Sequence, residues 1–349
     1  MKRIFYYFSM VLCMIAMVSC GGNGRKKALL PNVSGKAGEV IVVIDKNDWE
    51  GAVGTAIRDT LASDCPFLPQ REPLYSLVNV APGGFGSMFQ IHRNILILNI
   101  SPKVTESGLI LQQDIWATPQ CIIRINASDS NEALAIFKEN ASKIITTLEQ
   151  AERDRIIINS KKYEERALAP VVSAMAGGSP HFPSGYRLKK QTDNFIWISY
   201  DTQFTSQGIL VYKYPVVPDV QMMDLDNILD KNAEMLKANV PGMFENTYMM
   251  TSTFARPSIK YMKYKGRDFA EIRGFWEVYN DYMGGPFVAH AFYNQDGTEM
   301  IVMEAFVYAP KYDKRHYLRQ IESVLYSFEW APDKVEKYHR QSFSRGKCS

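Results

Sequence analysis

From Ile4 to Met17 the chain runs with Ser9 as its only weakly polar interruption, behind a short cationic opening of Lys2 and Arg3. As a helix, these roughly 14 residues would measure about 21 Å. That is short of a bilayer's hydrocarbon thickness and matched to the apolar region of an export signal. The run closes on Met17-Val18-Ser19-Cys20, and Gly21-Gly22-Asn23-Gly24 follow at once. A plain secretory cut near Ser19, or an uncleaved anchor, leaves unexplained why a cysteine stands where the apolar run gives way to glycine. No later run approaches spanning length, so the remaining residues are expected to fold as a body outside the membrane.

Composition limits what that body can be. The chain has 40 Lys and Arg, two of them in the leader, against 37 Asp and Glu. Near-neutrality points to neither nucleic acid nor an acidic substrate. A hydrophobic fraction of 46% and an aromatic fraction of 12% suit a globular chain with a full core. About 330 residues after the leader imply two domains or one large one. Beyond Cys13 and Cys20 the cysteines are Cys65, Cys121 and Cys348. Export would permit a Cys65–Cys121 disulfide, but Cys121 leads straight into Ile122 and Ile123 and reads as a small buried hydrophobe. No Cys/His spacing suits zinc, and no metal or cofactor is expected.

In order, residues 1–19 read as the export signal and 20–37 as a flexible tether. Residues 38–170 read as an N-terminal α+β half, 171–184 as a linker centred on Gly177-Gly178-Ser179-Pro180, 185–332 as a C-terminal α+β half, and 333–349 as a polar tail. The first half opens on the apolar run Val40–Ile44, typical of a strand buried on both faces. A helix capped at Asn47 or Asp48 carries Trp49, Val53, Ala56, Ile57 and Leu61 on one stripe. Strands are expected at 74–80, 94–100, 109–115 and 119–127. A long helix follows from Asp129 or Ser130, with Ala133, Phe137, Ile144, Ile145 and Leu148 inward and a charged, exposed extension past Glu152. The second half reads as strands at 185–191, 195–201 and 207–214, then a helix at 222–239. A meander at 267–279, 287–294 and 299–309 leads to a final helix capped at Asp313. Asn294-Gln295-Asp296-Gly297 has the chemistry of a hairpin turn. The fold class is α+β: two successive sandwich-like halves, each a largely antiparallel sheet covered by amphipathic helices.

No catalytic motif emerges. Gly83-Gly84-Phe85-Gly86-Ser87 lacks the glycine spacing and the Lys-Ser/Thr of a phosphate loop, and reads as a surface turn. The histidines at 92, 181, 290, 316 and 339 are scattered, and His290 sits mid-strand between alanines. The aromatic cluster around Gly284-Gly285-Pro286 is the one candidate recognition surface, with Trp276, Tyr279 and Tyr282 as its residues. Alternation sends Ala270, Ile272, Trp276 and Val278 to one face, and Glu271, Arg273, Phe275 and Glu277 to the other. The second face is the one expected to stay open for a ligand. Against it stands the plainer reading, with Trp276 in the core and the tyrosines lining a rim.

Met17-Val18-Ser19-Cys20 resembles the lipobox of bacterial lipoproteins, with Met17 in place of the usual leucine. The resemblance implies that Cys20 is lipidated and becomes the N-terminus, so that the membrane is a partner through the lipid. With Asp114-Ile115-Trp116-Ala117-Thr118-Pro119-Gln120 and the aromatic meander, nearly the whole chain is similar to an uncharacterised lipoprotein family of Bacteroides-type bacteria, which implies no activity. The last third is loosely similar to PsbP/Mog1-type α/β domains. Surface-exported members of the resembling group carry acidic residues after the cysteine. Here the residues are neutral, then basic (Arg25-Lys26-Lys27), so the body is expected on the periplasmic side of the outer membrane. The expected function is a non-enzymatic binding or assembly module for an envelope protein or small ligand, with no nucleic-acid partner. The alternative is an envelope hydrolase whose site assembles only in three dimensions.

Overall fold

Three nearly unbroken apolar runs build the first sheet. The structure, a computed structural model, describes residues 29–332. The export signal, Cys20 and the tail 333–349 lie outside the described residues. In the first half, β1 (Glu39–Val43) leads through α1 (Lys46–Glu50) and α2 (Ala52–Leu61) to β2 (Ser76–Val80). The short α3 (Ser87–Gln90), β3 (Asn94–Ile100), β4 (Gly108–Gln113), β5 (Cys121–Ala127) and α4 (Ser130–Glu139) follow. The sheet order is β2-β1-β3-β5-β4. The β1–β2, β1–β3 and β3–β5 pairings are parallel, and only edge strand β4 runs antiparallel.

The α+β class is therefore as expected, while the pairing inside this sheet is not largely antiparallel. The reason lies in the residues: β1, β3 and β5 are apolar at consecutive positions, so both faces must be covered, as in parallel sheets. Val40, Val42, Leu96, Ile123 and Ile125 meet α2, α4 and the helix after it on one face. Ile41, Val43, Ile95, Ile97 and Ile122 meet Phe85, Phe89 and Trp116 on the other. The expected single helix over 47–61 breaks at Gly51. The tight entry into α2 also requires Gly54, where a Cβ would fall 1.9 Å from the Trp49 carbonyl oxygen.

The long α5 (Ala141–Lys162) ends the first half, and the second half begins with α6 (Leu168–Ala176) and β6 (Gly178–Ser179). It continues with β7 (Arg187–Gln191), β8 (Phe195–Asp201), β9 (Ser206–Pro215), α7 (Leu225–Asn239), β10 (Met249–Thr251), β11 (Ser258–Tyr264), β12 (Arg267–Val278), β13 (Gly284–Tyr293), β14 (Glu299–Tyr308), α8 (Arg315–Tyr326) and β15 (Glu329–Trp330). Eight strands form one antiparallel sheet in the order β10-β12-β13-β14-β9-β8-β7, with β11 also on β12. One face packs on α6 and α8 through Val172, Ile209, Phe292, Met303, Leu318 and Leu325. The opposite face packs on α7 through Tyr212, Ile228, Leu236, Ile272, Trp276 and Phe306.

Two expectations change here. Residues 171–184 are not a loose linker: Val172, Ala176 and Phe182 enter the core of the second half, and β6 pairs with β15. The charged stretch past Glu152 is not an exposed extension either. Glu152 and Arg155 are buried, because α5 crosses between the halves and its charges find partners there. Strands β10 and β11 escaped the sequence reading, since one is three residues long and the other is half exposed and interrupted by lysines.

Candidate functional site

Three loops at the end of β12 carry large apolar side chains into solvent. Pro241 ends α7, and a turn brings Tyr248 back against Pro241. Gly242 is required in that turn, since a Cβ would lie 2.3 Å from the Thr247 hydroxyl oxygen. Tyr279 donates its backbone N–H to the Tyr248 carbonyl (2.8 Å), and the two rings stack at 5.0 Å. The next loop is pinned where Ser252 N–H meets the Phe275 carbonyl (2.7 Å) and Ser252 Oγ donates to Glu277 Oε2 (2.8 Å). Phe254 then stands edge-on to Phe275 at 6.5 Å, and Phe67 from the first half reaches the same ring at 6.0 Å. At the tips, Met243 is 79% exposed, Phe244 65%, Phe254 88% and Tyr282 fully exposed.

The expected trio divides. Tyr279 and Tyr282 face solvent, as the recognition reading requires. Trp276 does not: its indole is buried against Phe306, and Nε1 donates to the Val307 carbonyl (3.2 Å). Gly284-Gly285-Pro286 leaves no room for a ligand. At Gly285 a Cβ would come within 2.1 Å of the Val307 oxygen, so the missing side chain serves close strand packing. Alternation could not have found Met243, Phe244 and Phe254, because they lie on loops. The signal available was a large apolar residue flanked by turn formers in Pro241-Gly242-Met243-Phe244-Glu245-Asn246.

The face expected to be open is closed at Glu271 and Arg273, while Phe275 and Glu277 stay half-buried under the loops. Arg273 meets Glu271 through Nε (2.8 Å) and Glu322 of α8 through Nη2 (2.7 Å), and Glu322 also meets Arg153 of α5 (3.2 Å). Tyr326 donates its hydroxyl to Glu271 (2.6 Å). Burial opposes charge on both carboxylates. For Glu322, Arg273 and Arg153 outweigh it, and for Glu271 the Arg273 guanidinium does, so both are held below the ordinary carboxylate range. His290 is fully enclosed by Phe269 and Tyr326, 3.8 Å from Glu271, an ion-pair distance rather than a hydrogen bond. Burial, with the Arg267 charge, pushes its imidazole down to about 4. A histidine, a carboxylate and a tyrosine thus converge with no path to a substrate. They tie α8 to the sheet within the second half, and Glu322 carries the network on to Arg153 of α5.

The same seam caps α8, since Glu72 accepts from the backbone N–H groups of Lys314 (2.6 Å) and Arg315 (2.9 Å). That supplies from the first half the N-terminal acceptor expected of Asp313. With β5, the stretch 114–120 proves to be a brace too: Gln120 accepts from Trp116 N–H and donates to the carbonyls of Gln90 and His92.

Each half matches a different family model. Two domains of unknown function are found. Residues 33–161 match the domain of unknown function DUF8532, and residues 166–327 match the domain of unknown function DUF4837. The aromatic loops thus lie wholly in the DUF4837 half, and the seam joins Arg153 of the DUF8532 half to Glu322 of the DUF4837 half. No curated protein matches the chain. Among solved structures, LpqN, involved in cell envelope biogenesis of Mycobacterium tuberculosis, is similar at 15% identity, over 42% of this chain and 78% of that one, with a TM-score of 0.25. The human StarD13 (DLC2) lipid transfer and protein localization domain is similar at 11% identity, over 40% and 89%, with a TM-score of 0.21. Neither likeness is strong enough to bear on function. No helix among the described residues is long and apolar enough to cross a membrane, and no group of three or more His, Cys, Asp or Glu among them could hold a metal ion. Cys65 and Cys121 are free thiols.

Proposed function

We propose that this chain is a lipid-anchored envelope module, facing the periplasm, that docks a protein partner through the aromatic tips of its DUF4837 loops. The supporting observation is the exposure of Met243, Phe244, Phe254 and Tyr282 on neighbouring loops, an apolar cost that a solitary soluble surface avoids. Rings such as Tyr and Phe bring large contact area at little conformational entropy. A membrane surface is the other apolar destination, but the rim argues against it. Glu245 and Asp281 lie in these loops and Glu277 at the end of β12, against Arg256, which is paired with Asp226 (2.7 Å), and Lys237 of α7, which sits over the Tyr248 ring (5.3 Å). Anionic headgroups would be repelled, whereas a partner with a basic rim would be steered in.

The anchor is tested first. A clickable fatty acid should label the wild type in cells and leave Cys20→Ala unlabelled; equal labelling of both removes the lipid from the proposal. For the docking loops, Tyr282→Ala should cost no more than about 0.5 kcal/mol of stability. Tyr279→Ala, which loses its stack on Tyr248, should cost about 1 kcal/mol. The combined variant Phe244→Ser, Phe254→Ser, Tyr282→Ser should then melt close to wild type while losing the protein that a crosslinker at Asn280 captures in cells. Binding of purified Cys20→Ala protein to anionic vesicles, abolished by the triple change, would replace the protein partner with a lipid one.

A further inference from the structure

Between α5 and the outer strands of the large sheet lies a cleft of about 420 Å³, remote in sequence from the aromatic loops. Its size falls within the roughly 300–1,000 Å³ typical of small-molecule sites. Arg93, Arg155, Asn159 and Ser160 form one wall, and Ser184, Tyr186, Tyr200, Gln207 and Gln320 the other; no carboxylate lines it.

The two arginines differ in what they can offer. Arg155 is spent on the protein: Nε donates to the Pro119 carbonyl (2.8 Å), Nη1 to Asn94 Oδ1 (3.0 Å) and Nη2 to the Arg93 carbonyl (2.6 Å). Arg93 is not. Among the described residues its Nη2 meets Glu152 at 3.0 Å and its Nε is enclosed without a partner, which leaves Nη1 as the donor it can turn to the cleft. Glu152 is also paired with Arg155 (3.2 Å) and accepts from Asn94 (2.6 Å), so it does not depend on Arg93 alone.

The opposite wall presents an aromatic face. Tyr200 is 37% exposed and leans on buried Tyr186 at 5.8 Å. Gly185, at φ +98°, makes that placement feasible, since a Cβ there would lie 2.9 Å from the Tyr200 ring. Asn159 and Gln320 add two amides, and Ser184 a hydroxyl, to the lining of the cleft. Gln207 is 5% exposed, and its Oε1 meets no donor among the described residues.

We infer that this cleft binds an anionic sugar, a single ring carrying one carboxylate or phosphate, with the charge on Arg93 and the ring against Tyr200. One guanidinium with a donor left for the cleft suits one anionic group. One exposed aromatic face suits the apolar face of a sugar ring, and the amides and the hydroxyl suit its hydroxyl groups. Nothing here has the backbone cradle that a nucleotide's phosphate chain uses. The site is independent of the docking loops.

Calorimetric titration of the full-length, detergent-solubilised chain tests it, with glucuronate, glucose 6-phosphate, glucose and inorganic phosphate as probes. The two anionic sugars should bind, with glucose at least about tenfold weaker. Arg93→Gln should bring the anionic sugars down to the level of glucose. Tyr200→Ala should weaken all the sugars about fivefold or more while leaving inorganic phosphate unaffected. Should Arg93→Gln fail to fold, Tyr200→Ala decides the matter alone. No heat from any sugar up to about 10 mM, inorganic phosphate binding as well as the phosphorylated sugar, or sugar binding unmoved by Tyr200→Ala overturns the inference.

Discussion

Replacing Arg273 by methionine is expected to cost the fold roughly 3–5 kcal/mol near pH 7, the usual penalty for stripping one partner from a buried ion network. Arg273 is the only described cation that meets both Glu271 and Glu322 within ion-pair distance. Burial opposes its charge, but the two carboxylates hold its guanidinium well above its ordinary range, Glu322 foremost. Without it, Glu322 keeps only Arg153, and Glu271 keeps the Tyr326 hydroxyl and a neutral His290. The pH dependence gives the mechanism away. In the wild type both carboxylates sit below their free value, so their contribution is complete above about pH 4.5 and fades as pH falls through the folded values. In Arg273→Met that contribution is gone, and the carboxylates protonate more readily. The deficit measured by urea unfolding should therefore shrink between pH 7 and pH 4.5. A loss under about 1 kcal/mol, or a deficit independent of pH, would reduce the cluster to an ornament of the surface.

This network also marks where the sequence stops being legible. Alternation along β12 correctly grouped Glu271 with Arg273 and set them apart from Ile272 and Trp276. It carried no information on what covers each face. Glu322 lies 49 residues beyond Arg273, and Arg153 comes from the other half of the chain, so only the three-dimensional seam turns a polar face into a closed one. The same limit applies to Arg155 and Glu152, whose charges suggested solvent until α5 was seen to run through the junction. Elements set by local chemistry were readable. Asp129 caps α4 by accepting from Asn131 and Glu132, and Asn294 anchors the turn between β13 and β14. The strand direction in the first half was readable too, in the nearly unbroken apolar runs of β1, β3 and β5.

A second expected result is that Glu304→Gln stabilises the protein by roughly 2–3 kcal/mol at pH 8 and hardly at all at pH 4.5. Glu304 is 1% exposed in the middle of β14. It accepts from Asn232 of α7 (2.5 Å), which also donates to the Tyr212 hydroxyl of β9 (3.0 Å). No described cation lies within ion-pair distance of it. Burial therefore pushes its carboxyl up to about 7, against only the Asn232 hydrogen bond. A folded value above the free value of 4.5 means that the stabilising contribution is complete below about pH 4.5 and is lost as pH climbs to about 7. At about 1.4 kcal/mol per unit this amounts to roughly 3 kcal/mol, which an uncharged amide of the same shape does not forfeit. His290 works with the opposite sign. Its folded value of about 4 lies below 6.5, so its contribution is complete above about pH 6.5 and is lost as pH falls. Arg267, Glu271 and Glu322 are the charged groups facing it. Between about pH 4.5 and 6.5 the two slopes are of similar size and cancel, giving these two sites a flat profile in the wild type. Glu304→Gln removes one slope and should leave stability rising with pH across that window, while His290→Phe should leave it falling. Urea midpoints taken every half unit from pH 4.5 to 8 read both slopes. If the Glu304→Gln profile simply parallels the wild type, the carboxylate is charged at neutral pH with a partner not described here, and the buried-acid account of β14 fails.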